Sequence, residues 1–416
     1  MVTSSPTILR VEAAASDAPP IARGGAEFWR VSFAMAFGSF ATFAMLYCVQ
    51  PLMPGFARAF SISPAAASLS LSAATGVLAA AMVFAGTLSD ALGRKTVMTA
   101  SLAAAGAATL AAALSPDWTT LVALRALTGL ALSGVPAVAM AYLAEEMDRS
   151  AIGLAMGLFI GGNTLGGLGG RLGAAAIADA GGWRAAFAIV GLVSLGSAAA
   201  FAFALPKERR RLPKTRGNAL LPAIRMHCRD PGLRSLFALG FLLMGVLVAT
   251  YNYIGFRLEA KPFSLGQAAI GFVYSIYLVG AVASAIMGEL AGRYGRRRVI
   301  GFAIAFMPVG VVLTLPDNLP LMILGVGVVT IGFFGGHSIA SSWVGLRAET
   351  AKAQASALYL FFYYAGGSVA GTVGGWVFAV LKWPGVAALV GAMSVAALLI
   401  AIRLTRVPPP AHLSAP

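Results

Sequence analysis

The feature that most constrains this chain is a succession of long, continuous apolar stretches. Each stretch can supply about 20 helical residues, the length that crosses ~30 Å of hydrocarbon. Strands of outer-membrane barrels alternate polar and apolar residues, whereas these runs are unbroken, which argues against a barrel. The sequence therefore predicts an all-α membrane protein with twelve spans, numbered one to twelve, at residues 28–52, 66–88, 96–114, 120–144, 152–178, 184–205, 235–256, 267–288, 299–315, 320–344, 353–380 and 385–403.

The composition agrees with a membrane protein and excludes several other classes. Of the 416 residues, 59% are hydrophobic and only 11% are charged, whereas soluble domains have roughly 45–50% apolar and about 25% charged residues. A disordered chain needs low hydrophobicity, so it is excluded. With only two Cys in the chain, a disulfide scaffold is also excluded.

The net charge of +15 is interpreted as a signal of orientation. Most Lys and Arg fall on one side of the predicted spans if the N-terminus is cytoplasmic. Five fall on the other side: Arg58, Arg184, Arg257, Lys261 and Lys382. The positive-inside rule then predicts that both termini are cytoplasmic. Because the basic residues follow the membrane topology, we expect no nucleic-acid partner.

The chain contains an internal repeat, which predicts two halves of six helices each. Three pairs of segments match at offsets of 202, 205 and 204 residues: 86–95 with 288–297, 161–170 with 366–375, and Tyr47–Pro51 with Tyr251–Gly255. The predicted organisation is an N-terminal tail at 1–27, the first half at 28–205, a basic cytoplasmic linker at 206–234, the second half at 235–406 and a C-terminal tail at 407–416.

A two-half bundle with a basic central linker resembles the major facilitator superfamily of secondary transporters. The resemblance is sharpest after span two, where the family's loop motif Gly-x-Leu-x-Asp-x-x-Gly-Arg-Lys is complete at Gly86, Leu88, Asp90, Gly93, Arg94 and Lys95. Arg125 and Gly129 resemble a second motif of the family. Span five resembles the antiporter motif, although Gly166-Gly167 stands where antiporters have Gly-Pro. Spans one, five and eleven together are similar to the YnfM-type branch, near the drug:proton antiporters and sugar-efflux carriers.

The loop motif is predicted to act in gating. Gly86 and Gly93 permit a close helix approach and a tight turn. Asp90 can pair with a cytoplasmic Arg or cap a helix N-terminus. A contact that forms in one state and breaks in the other would bias the switch between the two states. The second copy has Gly292 in place of Asp90, so we expect the two halves to contribute unequally.

Two arginines lie within predicted spans, Arg125 in span four and Arg171 in span five. A charge at this depth normally faces a cavity or a partner, and no Asp or Glu lies near the middle of any predicted span. Two interpretations remain open. The arginines can face a cavity that attracts an anionic solute, or they can donate to backbone carbonyls freed by the glycines of span five.

Other polar side chains within the spans are candidates for lining a central cavity or for coupling. His337 in span ten is the default candidate for proton coupling, because its unperturbed pKa lies near neutrality; packing is the alternative. The remaining candidates are Tyr47, Gln50, Asn163, Tyr251, Asn252, Tyr274, Tyr277 and Tyr363. The residues from spans one and seven occupy equivalent positions of the repeat, where ligand sites are expected.

These features together predict a monomeric inner-membrane transporter that exports a small organic solute and is driven by the proton gradient. Uptake of an organic anion is the alternative within this class. A non-transporting receptor or lipid-handling bundle is the alternative from another class. The sequence has no catalytic triad, metal-ligand cluster or Walker loop, so we expect no enzyme activity, cofactor or metal.

Overall fold

The structure is a computed structural model that describes residues 19–208 and 220–408. Parts of the predicted tails and linker lie outside these described residues. The helices are α1 (Ala26–Tyr47), α2 (Met53–Ala59), α3 (Pro64–Leu92), α4 (Arg94–Ala112), α5 (Trp118–Leu132), α6 (Pro136–Glu146), α7 (Arg149–Ala204), α8 (Leu220–Arg229), α9 (Pro231–Glu259), α10 (Gln267–Val273), α11 (Tyr277–Tyr294), α12 (Arg296–Leu313), α13 (Leu319–Arg347) and α14 (Lys352–Thr405). Single 3-10 turns at Gln50–Leu52 and Tyr274–Ile276 join α1 to α2 and α10 to α11.

The helices account for the twelve predicted spans, which confirms the fold class. Among the described residues, seven helical segments are long and apolar enough to cross a membrane. Two of them, α7 and α14, are each two spans that follow one another with a sharp turn between them. The remaining three passes are α4, α12 and α5 continued by α6. The first turns of α4 and α12 carry basic residues, which lowers their hydropathy.

The turns inside α7 and α14 occupy equivalent positions of the two halves. Gly182 has φ of 76° and Lys382 has φ of 53°, so both residues leave the right-handed helical region. Gly182 adopts a positive φ without strain because it has no Cβ. In the second half, the residue with positive φ is Lys382, two residues before Pro384. The predicted breaks between spans five and six and between spans eleven and twelve are therefore confirmed.

Polar side chains cap the N-termini of several helices and fix where they begin. Ser63 accepts a hydrogen bond from the Ala66 backbone, and Asp117 accepts one from the Thr120 backbone. Each cap satisfies a backbone N–H that has no partner within the helix. The remaining capping residues of this kind are Asp148, Asp230 and Asn318.

Glycines allow α7 to lie directly against the backbone of α1. Gly162, Gly166 and Gly170 are four residues apart and so share one helix face, and a Cβ on any of them would collide with a carbonyl oxygen of α1. In the second half, Gly366 of α14 lies in the same way against the Phe241 carbonyl of α9. The glycine-rich repeat is thus a device for close helix packing.

We call the end of the bundle that holds the linker and the described terminal segments the linker end, and the opposite end the distal end. At the linker end, the N-terminal segment pairs with the connection between α6 and α7. The Ile21 N–H donates to the Glu146 carbonyl at 2.8 Å, and the Asp148 N–H donates to the Ile21 carbonyl at 3.0 Å. The C-terminal segment is held in the other half, where Arg297 donates to the carbonyls of Thr405 and Val407.

The contacts that we describe between the two halves lie in the middle and distal part of the bundle. Arg58 and Glu259 form an ion pair at the distal end. Nearby, the side-chain amide of Gln267 donates to the Pro51 carbonyl at 3.0 Å. Deeper in the bundle, the hydroxyls of Thr75 on α3 and Ser368 on α14 lie 2.8 Å apart. These contacts close the bundle at its distal end.

Candidate functional site

The predicted gating loop turns between α3 and α4 at Gly93, which has φ of 95°. The guanidinium of Arg94 folds back onto this turn and lies 3.2 Å from Asp90. It also donates two hydrogen bonds of 2.5 Å to Glu145 of α6. Asp90 therefore pairs with an arginine, as the sequence suggests, but that arginine belongs to its own loop and not to the other half. The gating role remains a prediction.

The electrostatics of this loop hold Arg94 in its charged form. Burial lowers the pKa of Arg94, but the hydrogen bonds and charge of Glu145, with the charges of Asp90 and Glu208, outweigh burial and raise it. Glu208 also accepts hydrogen bonds from the backbone N–H groups of Arg94 and Lys95 at the start of α4. Of the remaining motif residues, Leu88 is exposed. Gly86 faces open space, so the close helix approach expected at this residue is wrong, because no neighbouring helix in the described part of the chain lies within reach of it.

The second half has a different ion pair at its linker end, which sequence reasoning missed. Arg347 at the end of α13 donates two hydrogen bonds to Asp230, at 2.6 and 2.9 Å. Burial raises the pKa of Asp230, but the bonds from Arg347 and from the Leu233 N–H outweigh it and lower the pKa. The only signal in the sequence was the Asp-Pro-Gly run at 230–232, which is typical of a helix start.

Arg125 is fully buried and donates only to backbone carbonyls. Its three bonds reach Ser70 at 2.8 Å, Met45 at 2.9 Å and Leu46 at 2.9 Å. The acceptors lie on α1, at the turn where α1 ends, and on α3. The expectation that the carbonyls would be those of span five is therefore wrong for Arg125, because its side chain extends from α5 into the gap between α1 and α3. This geometry favours the structural alternative.

Arg171 is also buried, but its surroundings are different. It donates to the side chain of Gln50 at 2.6 Å and to the Gly167 carbonyl at 2.6 Å. Its guanidinium carbon lies 4.4 Å from the ring centre of Tyr47, 4.7 Å from that of Tyr277 and 5.6 Å from that of Tyr251. Such contacts of an arginine with aromatic faces stabilise its positive charge. Tyr251 and Tyr277 belong to the second half, so Arg171 lies where the halves meet.

Gln50 and Asn252 connect the halves directly. Gln50 donates to the side-chain oxygen of Asn252 at 2.7 Å while it accepts from Arg171. A polar chain of three side chains therefore runs from α7 through the end of α1 to α9. The amide nitrogen of Asn252 is buried and has no partner among the described residues. The Ser72 hydroxyl is also unpartnered in the described part of the chain. Both groups lie close to Gly371, since a Cβ at this residue would be 3.1 Å from each of them.

His337 lies in the second half and is partly exposed. Its Nδ1 is 2.8 Å from the hydroxyl of Tyr359. Its ring lies parallel to that of Phe333, with centres 5.7 Å apart, and its centre is 4.6 Å from that of Tyr363. The histidine is therefore embedded in aromatic rings and has one ring nitrogen outside this hydrogen bond.

Five tyrosines connect Arg171 with His337, and we call them the tyrosine cluster. They come from α1, α11 and α14: Tyr47, Tyr277, Tyr359, Tyr363 and Tyr364. Tyr277, which contacts Arg171, is connected to Tyr363, which contacts His337, through the rings of Phe334 and Phe333, with successive centre distances of 4.9, 5.0 and 6.2 Å. Sequence reasoning did not include Tyr359 and Tyr364 among the candidates. The spacing of four residues between Tyr359 and Tyr363 was a usable signal for the first of them.

The remaining candidates lie outside this cluster. Tyr274 donates to the backbone carbonyl of Tyr251 at 3.0 Å, and the Tyr251 hydroxyl is 2.9 Å from that of Thr330. Asn163 hydrogen-bonds with Ser39 across the interface of α7 and α1, within the first half. The structure thus brings together Arg171, Gln50 and Asn252 as one chain, with Tyr47 and Tyr277 beside it. His337 and Tyr363 lie at the other end of the tyrosine cluster. The structure does not bring Arg125 or Asn163 into this group.

Comparisons with known proteins assign this chain to a family. A model of the Major Facilitator Superfamily matches residues 35–268 and 258–416. The inner membrane transport protein YnfM of Escherichia coli (strain K12) is 45% identical over 387 residues, which cover 93% of each chain. The MFS-type transporter YybF of Bacillus subtilis (strain 168) is 43% identical over 387 residues, 93% of this chain and 96% of that protein.

Solved structures agree with the fold. An inward-facing, unoccupied bacterial homologue of the human lysosomal transporter Spinster superposes with a TM-score of 0.76 at 14% identity. That match covers 92% of this chain and 98% of the other. A point mutant of the nucleoside transporter NupG superposes with a TM-score of 0.73 at 16% identity, over 90% of this chain and 99% of the other. At these identities the likeness concerns the fold alone.

Proposed function

The chain belongs to the major facilitator superfamily, a family of transporters and not of enzymes, and we propose that it moves a small organic solute by alternating access. In this proposal the two halves rock around the tyrosine cluster and the Arg171–Gln50–Asn252 chain. Binding sites at the interface of structural repeats are expected for such transporters. The solute would bind from one end while the other end is closed.

The observation that carries this proposal is the position of the contacts between the halves. Arg58 with Glu259 and Gln267 with Pro51 hold the distal end together. Deeper in the bundle, beside Arg171, a hydrogen bond between Gln50 and Asn252 joins the halves. Breaking a few polar contacts at one end would separate the halves there without disturbing the packing inside each half. A rigid-body switch needs this kind of interface.

We propose that the proton gradient drives transport in the direction of export and that His337 takes part in coupling. His337 is partly exposed and lies beside Tyr363, at the opposite end of the tyrosine cluster from Arg171. The unperturbed pKa of an imidazole lies near neutrality, whereas that of a tyrosine is about 10. Similarity to the inner membrane protein YnfM supports a location in the inner membrane. The distribution of basic residues supports cytoplasmic termini.

Uptake of an organic anion is a second candidate, and Arg171 favours it. The guanidinium is bonded by an amide and a carbonyl, and no ion pair joins it to a carboxylate among the described residues. An anionic solute would supply the missing negative charge. The direction of transport is tested by loading liposomes with acidic or basic buffer. Export coupled to protons requires solute and protons to move in opposite directions, and uptake with protons requires them to move together.

Alternating access can be tested without knowing the solute. We replace Cys48 and Cys228 by Ser and introduce Ser72→Cys, at a site that is buried between the halves near Gly371. A membrane-impermeant maleimide added from the distal side should label this cysteine as the halves separate. The matched control is Ser194→Cys, which is buried within the first half and should stay unlabelled. Equal resistance of both cysteines to labelling would contradict the proposal and favour a non-transporting bundle.

A further inference from the structure

We propose that the transported solute is a planar aromatic anion, an aromatic ring with one carboxylate or sulfonate group, bound along the tyrosine cluster between Arg171 and His337. This inference rests on the proposed function and gives it a substrate class. Two features of the site carry it: a positive charge without a negative partner among the described residues at one end, and a set of aromatic faces at the other.

The end near Arg171 is suited to a negative charge. Tyr47 and Tyr277 present their ring faces to the guanidinium of Arg171, so its positive charge lies against the tyrosine cluster. Among the described residues, the hydroxyls of Tyr47, Tyr363 and Tyr364 form no hydrogen bond. A carboxylate accepts hydrogen bonds from several hydroxyls at once and is stabilised by a cation nearby. A cationic solute would instead meet an uncompensated arginine.

The end near His337 is suited to a flat ring. Phe333 and His337 lie parallel, Tyr363 is tilted by 33° against His337, and Tyr359 is tilted by 21°. The partly exposed rings of His337 and Tyr363 can therefore offer a face to a ligand. Offset stacking and edge contacts with such faces favour an aromatic ring over a saturated ring of the same size.

The two ends are joined by ring contacts. The ring centre of Tyr363 lies 4.6 Å from that of His337, and the rings of Phe333 and Phe334 connect Tyr363 to Tyr277. Tyr277 in turn lies 4.7 Å from the guanidinium of Arg171. One aromatic ring stacked near His337 would thus direct its charged group toward the hydroxyls in front of Arg171. Neither end alone identifies this class of solute, but the two together do.

Three probes of similar size separate the two parts of the proposal: benzoate, cyclohexanecarboxylate and benzamide. We measure the stabilisation of the purified full chain by each probe, and counterflow of labelled benzoate into liposomes with each probe inside. We expect benzoate to bind at least tenfold more tightly than either of the others. Tyr363→Leu should reduce the preference for benzoate over cyclohexanecarboxylate, whereas Tyr363→Phe should keep it. Tyr294→Leu on the exposed surface is the matched control and should change neither.

Each outcome decides a separate point. Equal binding of benzoate and cyclohexanecarboxylate overturns the aromatic part of the proposal. Equal binding of benzoate and benzamide overturns the anionic part. Binding of none of the three probes overturns the substrate class as a whole. Labelling of Ser72→Cys from the distal side then shows whether the proposed transport function fails too, because this readout needs no solute.

Discussion

Arg125 and Arg171 are the same kind of residue, in the same half and at the same degree of burial, yet their environments differ. Arg125 is bonded to three neutral carbonyls of its own half. Arg171 is bonded to one side chain and one carbonyl, and it touches aromatic rings of both halves. Burial alone therefore does not tell whether an intramembrane charge is structural or functional. In the proposed mechanism, the two arginines differ in whether their partners must separate when the halves move.

The largest effect is expected for Arg125→Gln. This change leaves two or three buried carbonyls without a donor, at about 1 kcal/mol each, so the loss of stability should be about 2–3 kcal/mol. Melting of the purified protein in detergent measures it. Arg125→Lys keeps three donors, but they sit on a single nitrogen that lacks the spread of the guanidinium, so this change should restore only part of the loss. A variant that melts like the wild type but has lost transport would show that Arg125 is functional and not structural.

Arg171→Gln should instead affect function more than stability. We expect at least a tenfold loss in transport of an anionic solute, a smaller loss for a neutral one, and a modest shift in melting temperature. Arg171→Lys should rescue partly, because a point charge lacks the planar donor group. Uptake and melting curves measured side by side test this. A lower melting temperature with unchanged transport would make Arg171 structural like Arg125.

Gln50→Leu sharpens the comparison, because it removes the hydrogen bond to Asn252 across the halves, and with it the bond from Arg171, while the charge of Arg171 stays in place. The loss of the hydrogen bond to Asn252, worth about 1 kcal/mol, should shift the equilibrium toward the state with the distal end open. Maleimide labelling of Ser72→Cys should then become about fivefold faster. The control is Tyr274→Phe, which removes a bond within the second half and should leave the rate unchanged.

Arg347 extends the comparison to a buried arginine with a carboxylate partner, and the expected effect is smallest there. The pKa of Asp230 is lowered in the folded protein, so its pairing stabilises the fold above the unfolded pKa of about 3.9 and is lost as the pH falls through the folded pKa. Asp230 is partly exposed, so Asp230→Asn should cost less than about 1 kcal/mol at pH 7. In melting curves, the difference from the wild type should vanish once the pH falls below the folded pKa, where Asp230 is protonated. A difference that persists there would assign the effect to the cap of α9.

Much of the fold could be predicted from the sequence, because its signals are local or repeated. Continuous apolar runs mark the spans, and the repeat of 86–95 at 288–297 marks the two halves. Close packing followed from the glycines of spans five and eleven. The joining of two spans within α7 and within α14 was also predictable, since each run is twice the length that a membrane requires.

The site was less predictable, for two physical reasons. The acceptors of Arg125 are backbone carbonyls, which every residue has and no sequence pattern reveals. The link between Gln50 and Asn252 joins residues 202 positions apart, and a comparison of the two repeats does not show which side chains meet across the interface. Among the candidate tyrosines, only the packing separates Tyr47, which lies beside Arg171, from Tyr274, which bonds to backbone.

The pairing of Ile21 with Glu146 and Asp148 has a consequence for biogenesis. The chain enters the membrane as it is synthesised, so the N-terminal segment waits for its partner, which is made 125 residues later. At about 5–20 residues per second, this delay is roughly 6–25 s. The first four spans are synthesised during this time, and the segment can pair with its partner only when the ribosome has passed the start of α7. Docking of the segment therefore requires that the first four spans have been synthesised.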